Sequence, residues 1–420
     1  MIDLVKINIP LGSELVHIFK HGDDGVNSEA DFEKCHALGC KLMSGEVDIS
    51  DTGTNLRQLR HPYESLPSSN GSLSFKIFKG SSISWPYLEM KASPAKLLQG
   101  HNVFGPDDAE LCILSLLDSF AFEMPELSKR LSWDMATIRC IDCTYSARFD
   151  EPGLGPQLIS VLRNTSARQI RPSNRFYEST VNWNESSRHV MLKAYLKHPE
   201  LSMQIAELEK RLRNDSQEFL KRQLTAMKSE QVQTFAKTAL RLEASIRYRK
   251  LKTLGVPVNL LEFIEYAKSK KQAGENLIQE LWTSSFSPLL ETFRGTTVNI
   301  YDDEKVHKKL RETLFTITST GKLSYAKADR LFRLFRSIKN EGFDEVKRTT
   351  PPRTFSRNIG ELTAVVPKAY LQSLDTVSSN VVPLVRVIDV DFAKQFPDDY
   401  VEPKSMVEQL TGNVLPLKTG

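Results

Sequence analysis

A tyrosine between two lysines is the first feature of this chain that could do chemistry. In His189-Val-Met-Leu-Lys-Ala-Tyr-Leu-Lys-His198 the residue types alternate. Read as a strand, Val190, Leu192, Ala194 and Leu196 face one way, and Met191, Lys193, Tyr195 and Lys197 the other. Flanking ammonium groups would favour the tyrosinate that nucleophilic attack needs and could pair with a phosphate. Ordinary cross-strand packing would produce the same pattern. Phosphoryl transfer would also need a divalent cation, held by carboxylates or His, to neutralise the scissile phosphate. Three acidic residues sit in strand-like runs, where isolated carboxylates are depleted: Glu89 in Tyr-Leu-Glu-Met-Lys, Asp142 in Arg-Cys-Ile-Asp-Cys-Thr, and Glu243 in Leu-Arg-Leu-Glu-Ala-Ser-Ile-Arg. A salt bridge with Lys91, Arg139 or Arg241 would equally account for any one of them.

These residues need a sheet to hold them. Up to about residue 185 the pattern predicts strands at Val5–Ile9, Leu73–Phe78, Tyr87–Ala92, Ile138–Arg148 and Ser179–Asn184, with Pro-, Ser- and Gly-rich turns between. Residues 107–131 carry acids in the first turn and an apolar stripe, which predicts a helix, and Gln157–Asn164 predicts another. The order indicates an α+β domain with helices on one face of a sheet. Cys140-Ile-Asp-Cys143 has metal or redox spacing, but residues three apart on a strand point to opposite faces and cannot clasp one zinc. From Glu200 to Ala239 the texture is charged and helix-forming. Beyond Gly295 come predicted helices at Asp303–Leu314, Tyr325–Asn340 and Thr354–Val365 and a closing strand at Val381–Val390. The boundary falls near 295, giving domains 1–295 and 296–420.

The chain has 420 residues, enough for two or three domains, with 56 Lys+Arg against 52 Asp+Glu. A net charge of +4 leaves any nucleic-acid footprint to a local patch. No apolar run reaches the length of a membrane span, and Asp3 within an alternating N-terminal segment is unlike a secretory signal, so a cytoplasmic protein is expected. Five cysteines imply no disulfide framework. Without Gly-x-x-x-x-Gly-Lys-Ser/Thr, His-Glu-x-x-His, Gly-x-Ser-x-Gly or Gly-x-Gly-x-x-Gly opening a helix, the usual ATPase, metalloprotease, α/β-hydrolase and dinucleotide enzymes lose support.

Several long strings resemble the gene II replication initiators of filamentous bacteriophages. They are His61-Pro-Tyr-Glu-Ser-Leu-Pro, the run from Glu89 through His101-Asn-Val-Phe-Gly105, Ser179-Thr-Val-Asn-Trp-Asn-Glu-Ser-Ser-Arg-His189, Ala194-Tyr-Leu-Lys-His198, Asn299-Ile-Tyr-Asp-Asp303 and Asn380-Val-Val-Pro-Leu-Val-Arg386. They keep the family's order over nearly the whole chain. The Arg-x-x-Asp and Tyr-x-Lys segments look more distantly like those of rolling-circle plasmid initiators. The resemblance implies an antiparallel-sheet rolling-circle initiator (Rep-like) nuclease domain with a helical insertion, plus a smaller, mostly helical downstream domain.

It also implies an enzyme that binds the double-stranded phage origin, nicks the plus strand and later joins the displaced single strand into a circle. Tyr195 would form a 5′-phosphotyrosine. That ester keeps the energy of the cut bond, consistent with the missing phosphate loop. Asp142, Glu89 and Glu243 become candidates for Mg²⁺ or its water shell, Lys197 for steadying the phosphate or tyrosinate, and Lys193 for contacting DNA. The His-hydrophobic-His metal motif of many related nucleases is missing here, and His101 is a candidate ligand, DNA contact or loop cap. Host replicative helicase and single-strand-binding protein are implied partners, the host cytoplasm the implied location, and an oligomer on DNA is left open. In the family the downstream third is also made separately as the X protein, from a position that is Val298 here.

That downstream region has a signal of its own. Between Lys322 and Glu361 ten basic residues face five acidic ones. Lys327, Arg330, Arg333 and Arg336 line one helix face and Leu331, Phe332, Leu334, Phe335 and Ile338 the other. With the following helix this could form a helix-turn-helix-like duplex reader, or simply a solvated surface. Two other readings compete for the whole chain. A non-catalytic origin-binding or copy-control protein would only pack Tyr195, whereas a tyrosine recombinase would need a late, helical tyrosine.

Overall fold

Among the described residues, alternating apolar positions assemble one antiparallel sheet of eight strands. The computed structural model describes residues 1–21, 25–41, 46–50, 53–58, 63–67, 71–149, 154–292 apart from 168, 176, 215 and 216, 303–373 apart from 320, and 390–411. The strands are β1 (Ile2–Pro10), the hairpins β2 (Val16–His21) with β3 (Gly25–Ala30) and β4 (Glu46–Ser50) with β5 (Gly53–Gln58), then β6 (Glu64–Pro67), β7 (Ser72–Phe78), β8 (Tyr87–Ala92), β9 (Thr137–Arg148), β10 (Thr180–Trp183), β11 (Val190–Leu196) and β12 (Ala239–Arg247). The large sheet runs β10-β11-β12-β9-β1-β8-β7-β6, and the two hairpins stand outside it. This is the expected α+β architecture, with more strands than the sequence pattern suggested.

The sheet has two unlike faces. Val5, Ile7, Ile9, Phe75, Ile77, Leu88, Met90, Ile141, Tyr145, Leu192, Leu242 and Ile246 lie on the apolar face and are buried. Helices α1 (Ala109–Glu123), α2 (Leu154–Arg163), α3 (Leu260–Gln272) and α4 (Leu277–Leu290) belong to the same core. The register sets Lys193 beside Glu243, Tyr195 beside Arg241, Ser245 beside Asp142 and Asn8 beside Glu89, all on the opposite, polar face. Over the Tyr195 end of that face lies a second small core built from Val103, Phe104, Leu201, Leu208, Leu220, Met227 and Phe235, contributed by the loop after helix Pro94–Gln99 and by the helices Lys197–Leu212, Glu218–Lys228 and Glu230–Lys237.

Several expectations are corrected. Strand β11 stops at Leu196, and Lys197 is the first residue of a helix, so it does not share a strand face with Tyr195. The helix expected over 107–131 breaks at Pro125, whose ring occupies the first turn of a separate short helix, Pro125–Ser128. Cys140 and Cys143 are free thiols on opposite faces of β9, as anticipated.

Downstream, the helices Asp303–Thr313, Ala326–Glu341 and Pro352–Leu362 match expectation, but a further helix, Phe343–Thr349, stands between the last two. The two-helix reader envisaged from sequence is therefore a larger helical cluster, built on Val306, Leu310, Leu331, Phe335, Ile338, Phe343 and Leu362. The strand expected at Val381–Val390 (all but its last residue), the boundary near 295 and Val298 lie outside the described residues. Segment Asp391–Thr411 straps the first half. Phe392 meets Tyr145 and Trp282 edge-on at 4.9 and 5.7 Å, and Tyr400 meets Phe104 at 5.6 Å. Buried Gln395 acts as a strand neighbour, accepting from Ser146 N–H at 2.7 Å and donating to Ser146 O at 3.0 Å.

Candidate active site

Strand β11 is amphipathic, and its polar side carries Lys193 and Tyr195 toward β12. Tyr195 is only 3% exposed, and its hydroxyl donates to Glu243 Oε2 at 3.2 Å. The Lys193 ammonium sits over the phenol ring, 4.3 Å from its centre, and 3.9 Å from the same carboxylate. Sequence reasoning expected the lysines to favour the tyrosinate. The structure reverses that: burial first, then the charge of Glu243, pushes the phenol well above its ordinary value. At rest Tyr195 is a protonated phenol already aimed at an acceptor. Burial and the nearby charge of Asp3 raise the Glu243 carboxyl too, which makes it a better base than an ordinary glutamate.

Behind Tyr195 lies a buried ionic network that no local pattern could reveal. Arg241, 1% exposed, donates to the carbonyls of Asn102 and Val103 and stands 3.7 Å from Asp3. Lys197, fully buried at the start of its helix, donates to Asn102 Oδ1 at 2.9 Å and to Glu200 at 2.6 Å. Asn102 in turn donates to Asp3 at 2.7 Å. Burial and the Arg241 charge lower the Lys197 ammonium to about 8. Lys197 thus closes the floor under Tyr195, its ammonium 5.9 Å from the centre of the phenol ring. His101 is buried in the same loop, with Nδ1 accepting from Val103 N–H at 3.3 Å and the ring edge-on to Phe104. Burial and the cations Lys197 and Arg241 push it down to about 3, so it is a neutral loop cap.

The three expected metal carboxylates do not converge. Glu243 turns to Tyr195, whereas Asp142 and Glu89 line a neighbouring cleft of about 760 Å³. Among the described residues no group of three His, Cys, Asp or Glu side chains is gathered as a metal centre. Asp142 is pushed up to about 7 by burial and then by Glu243, and accepts from Cys140 Sγ at 3.4 Å. Glu89 pairs with Lys6 at 3.2 Å and accepts from the Tyr63 hydroxyl. Beside it the buried side-chain oxygen of Asn8 has no hydrogen-bond partner among the described residues. Register sets Asp142 opposite Leu4 but Glu89 opposite Asn8, four residues further along β1 with Lys6 between, so the two carboxylates do not meet at one ion; Asp142 is the one that feels the charge of Glu243.

The cleft walls hold what sequence reasoning missed: Lys6, Arg139, Arg188, Arg247, Tyr248 and Arg249. The run Ile246-Arg-Tyr-Arg-Lys250, with an aromatic among cations, was the available signal.

On the downstream helix Ala326–Glu341, Arg330 bonds Glu361 at 2.6 Å, Arg336 lies 3.8 Å from Asp303, and Arg333 reaches back to Asp329 O at 3.4 Å. These arginines are partly exposed but mostly engaged, and they lie on a different element from Tyr195.

Residues 1–272 match the family profile for the N-terminal part of the phage replication-associated protein, and residues 317–406 the profile for its C-terminal part. The chain is 42% identical over 407 residues to the replication-associated protein of Enterobacteria phage M13, covering 96% of this chain and 99% of that one. It is 39% identical over 410 residues to the protein of the same name from Salmonella phage IKe, covering 97% of each. A rolling circle replication initiator from Geobacillus stearothermophilus overlaps it with a TM-score of 0.24 and 10% identity, over 88% of this chain and 98% of that one, too loosely to align residues.

Proposed function

The chain belongs to the replication-associated protein family of filamentous phages, and from that premise we propose that it initiates phage rolling-circle replication by nicking and rejoining one strand at the origin through Tyr195. One observation carries the chemistry: a phenol on the polar sheet face donates to Glu243 beside a carboxylate-lined, cation-walled cleft.

In the nicking step Glu243 takes the phenolic proton, and the Tyr195 oxygen attacks the scissile phosphorus. The bond to the 3′-oxygen breaks, and that oxygen leaves as a free 3′-hydroxyl after taking a proton. The 5′-phosphate remains on the tyrosine. Joining is the reverse, with a 3′-hydroxyl as nucleophile and tyrosine as leaving group, so no ATP is needed. Lys193 balances the developing charge, and the Arg241–Asn102–Lys197 network holds the floor so that Tyr195 keeps its rotamer. Glu243 is better cast as the base than as a metal ligand. Asp142, whose carboxyl feels the charge of Glu243, would be the carboxylate nearest this site for Mg²⁺ and its waters, which would polarise the phosphate; Glu89 and Asn8 lie four β1 residues away. Residues 1–295 form the catalytic unit in this reading. Residues 296–420 contribute DNA contacts through Arg330, Arg333 and Arg336, with host helicase and single-strand-binding protein acting on the opened template in the host cytoplasm.

The test is to incubate the protein with labelled supercoiled origin plasmid and Mg²⁺, denature, and ask whether label stays on the polypeptide. Transfer is expected for the native chain and none for Tyr195→Phe. Labelling of Tyr195→Phe would remove the assignment. Origin binding with no nicking by the native chain would favour the copy-control reading.

A further inference from the structure

Arg241 carries a donor that the resting structure does not use. Its side chain is 1% exposed and stands directly across the strand register from Tyr195, on the polar face of the sheet. Both terminal nitrogens are engaged, donating to the carbonyls of Asn102 and Val103, and those bonds fix the plane and reach of the guanidinium. The Nε–H is different: among the described residues it has no acceptor. A buried donor left unsatisfied is costly, and folded proteins keep few of them. Such a donor has a purpose when its acceptor appears only during the reaction. Across the register, the phenol oxygen of Tyr195 is the atom on which the proposed chemistry places a negative charge.

Lys193 is less suited to that charge. Its ammonium lies over the face of the ring and 3.9 Å from Glu243, so it is shared with that carboxylate, and its partly exposed side chain is screened by solvent. The Arg241 charge is buried and therefore acts at full strength. Burial and the charges of Glu243, Asp3 and Glu200 all push the phenol up, and Arg241 pulls it down. We propose that Arg241, through its Nε–H, takes up the negative charge on the Tyr195 oxygen, both when the phenol gives its proton to Glu243 and when tyrosine leaves in joining. The proton goes to Glu243 and the electron pair to phosphorus; no bond to Arg241 forms or breaks. Because the guanidinium is fixed before the charge develops, it stabilises the transition state more than the resting phenol. The proposal rests on the nicking reading and gives Arg241 a role beyond holding the floor.

The experiment measures how fast label from supercoiled origin plasmid becomes attached to the full-length protein, with either tyrosine or the more acidic difluorotyrosine at position 195. Arg241→Gln should slow labelling by about 10²- to 10³-fold, the loss expected for one donor to a developing oxyanion, while a cooperative melt shows that it is folded. The acidic phenol needs less help to carry charge. It should therefore speed labelling by roughly tenfold or more in Arg241→Gln and change it by less than about threefold in the native chain, whereas an arginine that only holds the floor would give one factor in both backgrounds. Asp3→Asn leaves Arg241 in place and keeps an acceptor for Asn102, but removes the carboxylate 3.7 Å from the guanidinium that competes for its charge. Labelling by this variant should hold or rise. Equal factors for the acidic phenol in both backgrounds, native-rate labelling by Arg241→Gln, or a loss in Asp3→Asn matching that of Arg241→Gln would overturn the proposal. If Arg241→Gln does not melt cooperatively, Asp3→Asn decides alone. Failure of the nicking reading looks different: the native chain takes up no label with either phenol.

Discussion

At the residue scale, reactivity is set by what surrounds Tyr195. Because Glu243 accepts the phenol's hydrogen bond, Glu243→Gln should lower nicking by about 10²- to 10⁴-fold and leave oligonucleotide binding within threefold, a loss of proton transfer only. Asp142 makes a pH prediction with a definite sign. Its folded carboxyl is raised to about 7 from an ordinary 3.8, so between those values the folded state holds a proton the unfolded chain has released. Stability therefore falls as pH rises through that window and is level above it. Asp142→Asn removes the buried charge, so its melting temperature should exceed the native one by ~2–4 °C at pH 8 and differ little at pH 4. Ion binding must displace the same proton, so the half-saturating Mg²⁺ for nicking should rise about tenfold per pH unit below 7. Tyr195 was legible in the sequence because alternation and its lysine neighbours mark it. Its hydrogen-bond partner was not, since Glu243 lies 48 residues away and only strand register brings them together.

At the element scale, the strands carrying the site were readable wherever one face is apolar, as in β7, β8 and β9. Lys197 was misplaced because period-two alternation happens to continue one residue past the strand into the helix. The buried ionic network was illegible for a different reason: Asp3, Asn102 and Arg241 come from β1, a loop and β12, and nothing local to any of them announces the others. The downstream helix Ala326–Glu341 was found by its two-faced pattern, but Glu361 holds both Lys327 and Arg330, a competition the pattern could not show. Glu361→Gln should free both cations and tighten origin-duplex binding severalfold. Replacing Arg330, Arg333 and Arg336 by Ala should lower the duplex salt slope by up to about 2.7, near 0.9 per lost contact. Unchanged affinity and slope in titrations of both variants would take this helix out of the interface.

At the scale of the whole molecule, segment Asp391–Thr411 packs against the eight-stranded sheet and its helices. Gln395→Ala leaves Ser146 N–H and C=O without that partner, and should destabilise the first half by ~1–3 kcal/mol in denaturant melts followed at Trp282. An unaltered melt would mean the strap merely rests on the sheet. The same segment sets an order on the ribosome. Gln395 follows Ser146 by 249 residues, so β9, β11 and β12 are polymerised long before this neighbour. Until then Tyr145, Trp282 and Phe104 lack the rings of Phe392 and Tyr400 that pack on them, and a polypeptide cut short of Asp391 should be cleaved by protease faster than the 420-residue chain.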